Sequence, residues 1–160
     1  TFSPEPDDAK ERMLLEKEFT RDQIQYYYFA RMAHQWNRIP GRKLNFETYM
    51  HHAQKHDAST SGWKKYDFSL DHMKAVHESI FKKPFEYTDE KLLYNAINPM
   101  AEKRSVVNEV SKRSSEIRDL HIVKMIEKYL KDGYSIFIEY GHSHVVIQEP
   151  LLRKLCAKIK

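Results

Sequence analysis

Apolar side chains recur along most of this chain at intervals of three and four, the spacing of one face of an α-helix. Ser3-Pro4 can open a first helix that runs through Glu16, with Ser as cap, Pro in the first turn and acids ahead of bases. Thr20 stands three residues before Gln23, a capping-box spacing, and launches Ile24, Tyr27, Tyr28, Arg31, Met32 and Gln35 in a second helix that should end before Pro40-Gly41. Asn45 can cap a third helix through Phe46, Tyr49, Met50 and Ala53. Ser69 can cap a fourth through Leu70, Met73, Val76, His77 and Ile80, stopped by Pro84. Thr88 and Asp89 open a short fifth that ends at Asn98-Pro99. The longest pattern runs from about Ser105 to Lys131, with Gly133 placed as its stop.

The period then changes. Tyr134-Ser135-Ile136-Phe137-Ile138-Glu139-Tyr140 is short, β-branched and aromatic, lies between Gly133 and Gly141, and reads as a strand buried on both faces. Gly141-His142-Ser143-His144-Val145-Val146 follows as a turn, and Pro150 starts a last helix through Leu151, Leu152, Leu155 and Ile159. A buried strand needs neighbours for its N–H and C=O groups, each costing about 1–3 kcal/mol if left unpaired. The expectation is therefore a helix-rich α/β protein whose other strands lie upstream of Thr1, are hidden in loops, or come from a second subunit.

Composition sharpens this reading in three places. The chain has 160 residues and only 4 glycines, where average usage of about 7% would give roughly eleven, and such chains are usually helix-rich. Its single cysteine, Cys156, excludes a disulfide framework within the chain and makes a reducing, cytoplasmic setting the expected one. Lys and Arg exceed Asp and Glu by a formal charge of only +4, and acids are interleaved with bases, so no nucleic-acid-binding face is expected. No apolar run reaches the roughly 20 residues of a membrane span, so no membrane partner is expected either.

The Gly141-His142-Ser143-His144 turn is the foremost candidate site. In an α/β sheet, ligands bind beyond the C-terminal ends of the strands, where Gly permits a tight turn and His can serve as metal ligand or general base. His144 is the one expected to point inward. On the preceding helix Asn108, Ser111, Ser115 and Arg118 form a polar stripe flanked by Ser114 and Asp119. Arg118 offers a permanent charge and a planar fork of donors for an oxyanion or phosphate. Tyr28 and Trp36, with the aromatic run 26–29, could line a pocket for a ring-bearing substrate. His52 and His56 have the i, i+4 spacing of a helical metal pair, with His51 beside them.

The run Arg118-Asp119-Leu120-His121-Ile122-Val123, the segment 134–140, and Gly141-His142-Ser143-His144-Val145 together resemble the second half of the superfamily that joins TraB and Tiki proteins, haem-binding ChaN proteins and erythromycin esterases. Members carry two Gly-x-x-His turns after strands, with an Arg-Asp on the helix before the second. Gly141 and His144 are similar to that second turn and Arg118 to the helix Arg, while no first turn is present. The resemblance implies hydrolysis of a peptide or ester bond with His144 and Arg118 in the site; the residues themselves add Asp119 as a further catalytic candidate, Asn108 and Ser115 of the polar stripe and Trp36 and Tyr28 of the aromatic runs around the substrate. It further implies a divalent metal such as Mn, Co or Zn on His144 and His142, with haem as another cofactor. Residues 1–100 would then form a helical cap and 101–160 the helix–strand–turn–helix part of the core. The alternative reading is a helical binding module without catalysis, its histidines structural and its aromatic residues core or pocket.

Overall fold

The computed structural model describes residues 6–102, 104–139 and 141–158. Among them the secondary structure is entirely helical: α1 (Asp8–Leu15), α2 (Arg21–Arg38), α3 (Phe46–Thr60), α4 (Leu70–Phe81), α5 (Glu90–Ile97), α6 (Val106–Lys131) and α7 (His142–Lys158). They form two compact units, one of Asp8–Ser114 and one joining Thr1–Asp7 to Ser115–Lys160. No helix of the described residues is long and apolar enough to cross a membrane.

Local chemistry explains where the helices of the first unit begin. The Thr20 side chain accepts from the Gln23 N–H while the Gln23 side chain accepts from the Thr20 N–H, a complete capping box. Asn45, Ser69 and Asp89 cap α3, α4 and α5 by accepting from Thr48, His72 and Leu92. At the end of α4 Lys82 takes a left-handed φ of +57°, and Pro84 follows two residues later, so the helix cannot continue. The expected Ser3-Pro4 cap of α1 lies outside the described residues.

Helix α2 is the axis of this unit, packed against α3, α4 and α5. Ile24, Tyr26, Tyr27, Phe29, Ala30, Ala33 and Trp36 are buried, so α2 is covered on more than one face. Its aromatic side chains continue into a cluster with the other helices: Phe29 meets Phe85, Trp36 meets Phe46 and Tyr87 edge-on, and Phe46 stacks on Tyr87 with centroids 4.6 Å apart. Such pairs add about 0.5–1.5 kcal/mol each beyond their burial.

A polar crosslink runs through this apolar interior. Arg12 of α1, only 1% exposed, forms an ion pair with Asp57 of α3 at 3.3 Å and donates to Gln25 of α2 at 2.7 Å. Gln25 donates in turn to Asp57 at 2.7 Å. The guanidinium also lies 4.0 Å from the Tyr28 ring centroid and 5.0 Å from that of Trp63. A buried charge is tolerable only when paired and hydrogen-bonded, and the terminal nitrogens of Arg12 meet both conditions while its buried Nε has no partner.

The α/β expectation is not met: no strand is present among the described residues. Residues 134–139 are irregular and mostly exposed, Phe137 at 93%, rather than buried on both faces; Tyr140 lies outside the described residues. The physical reason is that a β segment is stabilised by a neighbouring ladder, and no other described segment supplies one. The expectation that upstream chain or a second subunit completes a sheet followed from that strand and loses its support with it. Gly133 does end α6, at φ +84°. The expected turn at 141–146 is instead the start of α7, whose His144 N–H donates to the Gly141 carbonyl at 3.0 Å, and Pro150 lies inside that helix rather than at its start.

Candidate functional site

Helices α6 and α7 bring three polar side chains of the second unit together. Asp119, midway along α6, sits among the buried residues Ile117 and Ile122 of the same helix and is itself buried. His144 Nδ1 lies 2.7 Å from Asp119 Oδ1. Gln148, fully buried, donates through Nε2 to the same oxygen at 2.6 Å. His144 and Gln148 are one helical turn apart, so both fall on one face of α7.

The chemistry of this group follows from what each atom can do. An ionised carboxylate only accepts, so the ring nitrogen facing Asp119 is the one that carries the proton in neutral His144, and the basic lone pair is on Nε2. Gln148 fills a second acceptor position on Asp119 and fixes its rotamer. His144 keeps partial access to solvent, its side chain 19% exposed, whereas Asp119 is withdrawn. A buried carboxylate that orients a partly accessible imidazole is the arrangement used to position a general base.

The other expected site residues take different places. Arg118 and Ser115 are half-buried on α6, Ser115 one turn before Asp119. Gly141 precedes α7; the side chains of His142 and Ser143 lie outside those described, and so does the expected metal ligation through His142. Asn108 is in the first unit and fully engaged there: Nδ2 donates to the carbonyls of Asn95 and Asn98, and Oδ1 accepts from the N–H and hydroxyl of Ser105. It ties the start of α6 to the end of α5. Tyr28 is packed against Arg12, and burial together with the charge of Glu11 pushes its phenol pKa well above the ordinary value. Trp36 belongs to the aromatic cluster of the first unit.

Sequence reasoning missed Gln148. Its signal was the i, i+4 relation to His144, which is visible only if α7 is read as starting before Pro150. The His51, His52 and His56 side chains are exposed on α3. Among the described residues no group of three or more His, Cys, Asp or Glu side chains converges to hold a metal ion. One of the two expected ligands, His142, lies outside the described side chains, and no chemical step is assigned to a metal.

No protein-family model, curated protein or solved structure matches this chain.

Proposed function

We propose that the Asp119–His144 pair is the general base of a hydrolase acting on an ester or peptide bond. The observation that carries this reading is the 2.7 Å contact between Asp119 Oδ1 and His144 Nδ1, buttressed by Gln148 on the same oxygen. Nε2 of His144 takes a proton from a water molecule as the water oxygen attacks the carbonyl carbon. The charge that collects on the carbonyl oxygen is met by a fixed positive group, the role assigned to Arg118. Collapse of the tetrahedral species breaks the bond to the leaving alcohol or amine. The proton held on His144 passes to that leaving group, so the imidazole ends neutral and the products are an acid with an alcohol or amine. Asp119 stabilises the imidazolium in between without itself being protonated.

The reading agrees with the resemblance to the TraB, Tiki and erythromycin esterase superfamily in residue choice, and it does not depend on a strand at 134–139. Its test is turnover of p-nitrophenyl acetate and of a fluorogenic peptide by the full native chain, compared with His144→Ala and Asp119→Asn. A general base contributes about 10²–10⁴-fold, so turnover should fall by that order in both variants. Equal turnover in native protein and His144→Ala would overturn the reading.

A second reading, a helical binding module without catalysis, is favoured by α7, which exposes Val145, Val146, Ile147 and Leu151 to solvent. Such side chains on one short helix suit a contact surface better than a solvated face. Absence of hydrolysis in every native preparation would move the assignment to this reading.

A further inference from the structure

The loop between α2 and α3 encloses a cleft of about 330 Å³ in the first unit. Trp36, Ile39, Pro40, Leu44 and Tyr49 supply apolar and aromatic surface, and Arg42 and Lys43 supply charge. Gly41 turns at φ +61°, a region glycine enters without steric cost, and the chain then carries Arg42 back over Trp36. The Arg42 guanidinium carbon lies 4.1 Å from the Trp36 ring centroid. The indole is held from other directions by edge contacts to Phe46 and Tyr87, both with centroids 5.4 Å away. Trp36 is therefore a rigid platform, and Arg42 a planar fork of donors stacked on it.

The charge of its lining gives the cleft a chemical preference. No Asp or Glu lines it, and among the described residues neither Arg42 nor Lys43 forms an ion pair, so two cations stand without a counter-charge.

The geometry points to a binding site for a small ring-bearing anion, a carboxylate or a phosphate monoester. The anion sits on Arg42 and Lys43, the ring against Ile39, Pro40 and Leu44. Arg suits this role because it presents parallel N–H donors to two oxygens of one anion, while the apolar wall selects for a body that inorganic phosphate lacks. The site is in the first unit and stands or falls independently of the hydrolase reading.

The test is a titration followed by ¹⁵N–¹H spectra, with the Trp63 indole N–H as internal control. Phenylacetate and phenyl phosphate are the anionic probes, which also separates the carboxylate from the phosphate preference. Phenylacetamide and inorganic phosphate are the controls that lack the charge and the ring. At least one anionic probe should shift the Trp36 indole N–H and the 41–44 amides saturably. Removal of the probe's charge, or the Arg42→Gln/Lys43→Gln double variant, should weaken binding by about tenfold or more. The single variants serve if the double variant loses its native circular dichroism. No saturable shift from either anion up to about 10 mM, the affinity range of trivial contacts, would overturn the proposal. So would equal binding of phenylacetamide, of inorganic phosphate alone, or of wild-type affinity in folded charge variants.

Discussion

Asp119 Oδ1 and His144 Nδ1 lie 2.7 Å apart although 25 residues separate them in the chain. The contact assigns the Nδ1–H tautomer to neutral His144, and this can be measured without any substrate. Imidazole ¹⁵N spectra of the native protein should show Nδ1 protonated near neutral pH. In Asp119→Ala that preference should be lost, with the two tautomers sharing the population and hydrolysis reduced by about 10²–10⁴-fold. A His144 that keeps the same tautomer in Asp119→Ala would show that the carboxylate does not orient the ring.

Arg12 and Asp57 make the second prediction. Removing one member of a buried pair leaves the other charge without compensation, at a cost of about 3–5 kcal/mol. Arg12→Met should therefore lower the urea-unfolding free energy by that order. Arg12→Met/Asp57→Leu should recover part of the loss, since neither member of the pair is then left uncompensated, although buried Gln25 loses both its partners. The recovery is the informative result: additive losses in the two single variants would mean that Arg12 acts through its stacking on Tyr28 and Trp63 rather than through the ion pair.

The helix starts were readable because capping is local. Thr20, Asn45, Ser69 and Asp89 each act on an N–H three residues on, a distance the sequence displays directly. Arg12, Gln25 and Asp57 carried no such signal, because a partner 13 or 32 residues away leaves no trace in local spacing. The segment 134–139 misled for a related reason: β-branched and aromatic residues report suitability for a sheet, while the sheet itself depends on a ladder supplied elsewhere. Reading Pro150 as a helix start then hid Gln148 from the site. Asp119 and His144 were singled out by residue type, but their contact depends on how α6 and α7 meet, which no spacing encodes.

His77 predicts a pH dependence of the first unit. It is buried against Phe81 and Phe85, with Nδ1 2.6 Å from the Tyr26 hydroxyl. Burial and the charge of Lys83 lower its pKa, opposed in part by Asp89. The unfolded chain, titrating near 6.5, then binds more protons than the folded one, so stability rises with pH. It should decline as pH falls below about 6.5, and this contribution should level off once the folded pKa is passed. Half-buried His34 is shifted in the same direction. The difference between native protein and His77→Gln in urea midpoints from pH 7.5 to 5 isolates the His77 share. A midpoint slope unchanged by the substitution would show that His77 does not couple folding to protons.

Asn108 distinguishes a structural from a substrate-binding role. Its two donors reach the Asn95 and Asn98 carbonyls, and its acceptor serves Ser105. Asn108→Ala removes all four of these bonds, which at about 1 kcal/mol for each should cost roughly 4 kcal/mol. Asn108→Asp should cost more, because it retains the acceptor for Ser105 but turns a carboxylate oxygen toward two carbonyl oxygens. Urea denaturation gives both values. Hydrolysis by the folded fraction should be unchanged in Asn108→Ala, since every polar atom of Asn108 is already engaged with the ends of α5 and α6. A variant of native stability with lost turnover would return Asn108 to the substrate site that its place on the polar stripe first suggested.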